Sequence, residues 1–147
     1  TTLTCSMPPA TRAFARPPFC LRTSGSIART LRNCTHSSAS TDYADFAHPV
    51  AEAVESGKAA RGILLCGTGL GMAYAANRHP HVRAAVAWTP EIAGLSRSHN
   101  DSNVLVIPAR FVSDEAGVAI LKTWLDTPFE GGRHQRRIDK IEREEEQ

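Results

Sequence analysis

The stretch from Gly62 to Arg78 constrains this chain more than any other. A short apolar run, Gly-Ile-Leu-Leu-Cys, leads into a turn holding Gly67, Gly69 and Gly71 and then into the alanine-rich Met72-Ala73-Tyr74-Ala75-Ala76. The pattern predicts strand, glycine turn and helix. Residues without a Cβ let the backbone turn tightly and bring its N–H groups close to an anion, and the helix points its positive dipole end at the same place. Cys66 closes the strand, so a thiol stands at the mouth of this anion site, where oriented N–H groups favour thiolate. The combination points to chemistry on an anionic substrate.

The flanking sequence predicts alternating helices and strands. Thr41 or Asp42 is the expected N-cap of a helix carrying Phe46, Ala47, Val50, Ala51 and Val54 up to Gly57, with Pro49 expected to bend it or delay its start. After the helix from about Gly71 to Arg78, stopped by His79-Pro80, the apolar run Arg83 to Trp88 predicts a strand buried on both faces. Thr89 caps a helix with Pro90 first and Glu91 in its first turn, which runs out near Ser98 and leaves His99-Asn100-Asp101 at a turn. Asn103 to Ile107 predicts a strand. Ser113 caps a helix through Leu125 expected to bury Val118, Leu121, Trp124 and Leu125, and Arg133 to Glu146 predicts a charged helix with Ile138 and Ile141 on one face.

This alternation gives an α/β fold, a three-layer Rossmann-like parallel sheet with right-handed crossovers. Ligands of such sheets bind beyond the carboxyl ends of the strands. Cys66 and its glycines lie on that edge, and the helix leading to His99 begins there.

At 147 residues one domain is expected. The formal charge of +2 hides an asymmetry, because residues 1–40 carry Arg12, Arg16, Arg22, Arg29 and Arg32 and no Asp, Glu or Lys. That leaves 12 of the 17 basic residues against all 15 acidic ones in the body, which shows no basic field for nucleic acid. Cys5, Cys20 and Cys34 also fall in the first segment and no Cys-x-x-Cys pair occurs, so a disulfide framework or zinc site is disfavoured and a reducing cytoplasm is the expected localisation. The best apolar candidate for a membrane span is broken by the three glycines.

Singly, the motifs leave alternatives open. The glycine turn lacks the Gly-Lys-Ser/Thr of a P-loop; it approaches Gly-x-Gly-x-x-Gly/Ala, but Ala87 and Trp88 stand where a dinucleotide site would need its ribose-binding acid. Cys66 could be a small buried residue, and His99 a turn or capping residue. Arg133 and Arg137, spaced i, i+4, could clamp one phosphate or simply face solvent.

Together, Cys66-Gly-Thr-Gly-Leu-Gly-Met72, Arg83-Ala-Ala85, Ser98-His-Asn-Asp-Ser-Asn-Val-Leu105 and Phe129-Glu-Gly-Gly-Arg-His-Gln-Arg-Arg-Ile138 closely resemble the type B ribose-5-phosphate isomerases, the family that includes galactose-6-phosphate isomerase. The resemblance runs from about Thr35 to Ile141. It implies aldose–ketose isomerisation through a cis-enediolate, without metal or cofactor. Cys66 would be the base, and the backbone N–H groups of Gly67 to Gly71, with Gly69 between them, would hold the enediolate oxygens. Thr68 and His99 would open the furanose ring, Asn100 would bind sugar hydroxyls, Arg133 and Arg137 the phosphate, and Tyr43 would line the pocket. It further implies homodimers or homotetramers whose sites draw on two subunits. The helix after the turn offers no carboxylate, so the thiol is the candidate base within the motif.

The front of the chain departs from this pattern. The family opens with a strand ending in a Ser-Asp-His-Ala-Gly-like motif, whereas Pro8-Pro9-Ala10-Thr11 stands at that place and no Asp-His pair occurs in residues 1–40. A transit peptide would have been added ahead of the family pattern, but the spacing before Cys66 is kept. Residues 1–34 therefore read as a segment replacing the first βαβ unit, with Cys5 to Cys34 a frame-shifted or mis-assembled stretch, and 35–147 as the isomerase domain. Loss of the first strand predicts unpartnered neighbours and weak activity. A non-catalytic phosphosugar-binding remnant or assembly partner is the alternative, and a nucleotide-binding oxidoreductase a more distant one.

Overall fold

The computed structural model describes residues 2–6 and 42–142. Its elements are β1 (Thr2–Ser6), α1 (Ala44–Glu55), β2 (Arg61–Cys66), α2 (Leu70–Ala76), β3 (Ala84–Val86), α3 (Pro90–Asn100), β4 (Val104–Pro108), α4 (Asp114–Asp126) and α5 (Arg133–Ile141). The four strands are parallel in the order β1-β2-β4-β3.

Alternation along the central strands separates two cores. On one face Leu64, Val104 and Val106 pack with Ala47, Val50 and Ala51 of α1 and Met72, Ala73 and Ala76 of α2. On the other, Ile63, Leu105 and Ile107 pack with Ala93 of α3 and Ile120 and Trp124 of α4. The three-layer parallel architecture is thus the one the sequence predicts.

Six expectations need correction. Residues 1–40 were expected to contribute no strand, yet Thr2–Ser6 pairs with β2, Thr2 opposite Arg61 and Ser6 opposite Leu65. β2 therefore does have a partner on that side; the signal was a five-residue polar/apolar alternation too short to stand out. The rest of the segment read as frame-shifted lies outside the described residues, as does Thr41. The run Arg83 to Trp88 yields only the three-residue β3, half-buried because it is an edge among the described strands. In α4 the buried face is narrower than expected, with Ile120 and Trp124 inside, Leu121 partly so, and Val118 and Leu125 exposed. In α5 only Ile138 of the two isoleucines is buried. His99 and Asn100 belong to the last turn of α3 rather than to the turn after it. Nor does Asp42 cap α1 as expected: the helix starts after Tyr43 with no side-chain cap, and it holds Pro49 inside it.

Candidate functional site

At the carboxyl edge of the sheet, Cys66 is the last residue of β2, half-buried on the α1/α2 face with a free thiol. Gly69 follows with φ 81°, a left-handed backbone that costs glycine little and that ends the turn as the N-cap of α2. Thr68 Oγ1 accepts from Leu70 N at 3.4 Å. Tyr43, just before α1, lies against Gly71 so closely that a Cβ there would stand 2.6 Å from its ring. Across β4 the strands' ends are tied, Ala109 N to Cys66 O at 2.8 Å and Arg110 N to Gly67 O at 3.1 Å. This brings the Arg110 side chain over Gly67, its Nε 3.0 Å from where a Cβ would be. Sequence reasoning missed Arg110 because only the pairing of β4 with β2 brings it to the turn.

The other predicted residues gather elsewhere. The helix α3 starts at Thr89, beyond β3, and returns antiparallel to the strands, so its 11 residues carry His99 and Asn100 roughly 16 Å away to the amino edge. There the rings of His99 and His134 stack, centroids 4.2 Å apart and 5° from parallel. Glu130 Oε2 lies 4.0 Å from His99 Nε2 and 3.7 Å from His134 Nε2. Arg133 opens α5 with its Nε 3.4 Å from His134 Nε2, and Arg137 follows one turn later. Hence Tyr43, Cys66, Gly67, Thr68, Gly69 and Gly71 form one group, His99, Asn100, Arg133 and Arg137 another, and a single chain does not bring the two together.

His134 is buried, with Nδ1 unpartnered among the described residues. Its pKa is lowered below 6.5, first by desolvation and then by His99 and Arg133, with Glu130 opposing. Both lowering effects favour the neutral imidazole. His99, Glu130 and His134 could offer three ligand atoms within 4.8 Å of one another to a metal ion. The Arg133 guanidinium beside His134 instead suits that place to an anion. Glu130 and His134 are the residues the sequence reading passed over, though both stand within the Phe129-to-Ile138 motif.

The remaining residues of the Ser98-to-Leu105 motif build the scaffold under His99. Trp124 Nε1 donates to Ser102 Oγ at 2.8 Å, and Ser102 Oγ bonds Ser96 Oγ at 2.9 Å. Asn103 Oδ1 accepts from Arg83 N at 2.8 Å, while its Nδ2 donates to His81 O at 2.7 Å.

Among known proteins, ribose-5-phosphate isomerase B of Escherichia coli is 48% identical over 107 residues, which span 73% of this chain and 72% of that protein. The crystal structure of a ribose 5-phosphate isomerase from Thermotoga maritima superposes with a TM-score of 0.71 at 51% identity, covering 75% of this chain and 76% of that one. The Mycoplasma genitalium ribose-5-phosphate isomerase B, solved with bound ribulose-5-phosphate, gives a TM-score of 0.68 at 47% identity, covering 71% and 69%. The sequence pattern of the family described as Ribose/Galactose Isomerase matches residues 25–141. This chain belongs to the ribose/galactose isomerase family.

Proposed function

We propose that the protein interconverts ribose-5-phosphate and ribulose-5-phosphate, with Cys66 as the proton-shuttling base. The carrying observation is the Cys66 thiol at the end of β2, directly before the left-handed Gly69 turn, in a chain so similar to ribose-5-phosphate isomerase B of E. coli. With the ring opened, Cys66 thiolate takes the C2 proton of the aldose and returns a proton to C1, while a proton moves from O2 to O1. The intervening enediolate bears negative charge on oxygen. Backbone N–H groups of Gly67 to Gly71 are aimed at that charge without having to reorganise, a contribution worth about 3 kcal/mol per donor in comparable sites. Thr68 and His99 open the furanose ring, Asn100 holds sugar hydroxyls, Arg133 and Arg137 hold the phosphate, and Tyr43 walls the pocket. Arg110 adds positive charge where the anionic substrate arrives.

Since the two groups of residues lie on opposite edges of one sheet, the complete site needs a second copy, whose amino edge supplies its His99 cluster to Cys66. A homodimer is the smallest assembly that does this. A free thiol at the site suits a reducing cytoplasm, and no described helix is long and apolar enough to cross a membrane. The missing Asp-His pair in residues 1–40 favours turnover below that of a relative that has it, and it is the observation behind a second reading, a phosphosugar binder without catalysis.

A coupled assay of ribose-5-phosphate isomerisation, run on the chain and on its Cys66→Ala variant, tests this. The expected result is measurable turnover that falls at least about 10²-fold in Cys66→Ala with substrate binding kept. Turnover unaffected by that change would remove Cys66 from its role, and binding without turnover in either protein would favour the binder.

A further inference from the structure

Arg83 opens the Arg-Ala-Ala motif, yet it lies in neither group of candidate residues. Its guanidinium is mostly buried and spends its donors on two separate segments, the end of α3 and the residue past α5. Nε donates to the carbonyls of Asn100 and Asp101, each at 3.1 Å. Nη2 donates to Asp101 Oδ2 at 3.1 Å, and Nη1 to the carboxylate of Glu142. The Arg83 backbone is fixed in turn by Asn103, whose N–H reaches its carbonyl at 3.1 Å and whose side chain accepts from its N–H.

We infer that Arg83 is a positioning residue for the His99 half of the site, acting on His99 and Asn100 through the end of α3 and on Arg133 and Arg137 through the far end of α5. The last carbonyls of a helix lack partners within it and must be met from outside. Here the left-handed Asp101, φ 45°, turns the chain away, and Arg83 takes the Asn100 carbonyl while Asp101 Oδ1 is held by Arg97 Nη1 at 2.6 Å. Glu142 stands one residue past α5 and also bonds His81 Nδ1. It lies about 13 Å along the helix from Arg133, so holding it sets the angle at which α5 presents its arginines. The planar fork makes this possible. A lysine ammonium has three donors at one point and cannot reach both the α3 carbonyls and the Glu142 carboxylate in this arrangement.

The inference rests on the proposed role of His99, so its test includes a readout independent of turnover. In Arg83→Lys, the histidine Hε1 proton resonances of His99 and His134 should move, because the stacked rings shift one another's signals. The kcat/KM for ribose-5-phosphate should fall about tenfold. Glu142→Gln, which leaves the α3 contacts intact, should raise KM several-fold with kcat nearly unchanged, since only the phosphate-binding helix is loosened. It also serves as the folded test case should Arg83→Lys fail to fold. Moved resonances with no activity in any variant would support the positioning role while sinking the isomerase reading. A lowered melting temperature with both imidazole signals and both kinetic constants unchanged would overturn the inference and leave Arg83 a stability element alone.

Discussion

Gly71 and the ring of Tyr43 meet with no room between them, and two effects of comparable size compete when that glycine is replaced. Alanine gains up to about 1 kcal/mol in helix propensity inside α2. The new Cβ would stand 2.6 Å from the ring, and overpacking of that kind costs about 1–3 kcal/mol where neighbours cannot move. Tyr43 is 47% exposed and can swing outward, so the steric cost is relieved rather than stored. Gly71→Ala should therefore change unfolding free energy by less than about 1 kcal/mol in urea titrations, while KM for the sugar phosphate rises because the ring leaves the pocket. The thiol and the glycines were readable from sequence because each carries its physical reason within seven consecutive residues. Arg110, Glu130 and His134 were not singled out, since their neighbours at the site come from other elements.

Among the elements, the starts of α3 and α4 were legible in the sequence, whereas the start of α1 at Tyr43 was not. Thr89 Oγ1 accepts from Ile92 N and Ser113 Oγ from Ala116 N, as their positions before Pro90 and Asp114 predict. Burial was less legible, because helical spacing marks an apolar stripe without saying how wide the contact will be; Val118 and Leu125 fall outside the part of α4 that meets the sheet. The attachment of α5 depends on a tertiary ion pair and carries its own pH dependence. Burial alone would raise the pKa of the Glu142 carboxyl, but hydrogen bonds from His81 and Arg83 and their charges outweigh it and hold it below 4.5. A carboxylate depressed in the folded state stabilises fully above its unfolded pKa, and that contribution is lost as pH falls through the folded value. Glu142→Gln should accordingly lower stability by about 1 kcal/mol at neutral pH and by less at about pH 3, flattening the acid side of the stability curve. Equilibrium denaturation at the two pH values measures the difference.

For the whole molecule, the separation of Cys66 from His99 gives a test that no single-chain site would pass. Two inactive variants, Cys66→Ala and His99→Asn, mixed and allowed to exchange subunits, should recover activity. In a random mixture half the dimers are hybrid, and each hybrid has one intact site of two, so about a quarter of wild-type activity should return. No recovery, with exchange verified by native mass spectrometry, would place each site within one chain. The sheet that creates this separation has a consequence for how activity appears in time. If the site is shared between two copies as proposed, a newly made chain, however well folded, holds its thiol on one edge and its imidazoles on the other and stays silent until it meets another. On this reading the onset of isomerisation is second order in chain concentration, and dilution switches the protein off without unfolding it.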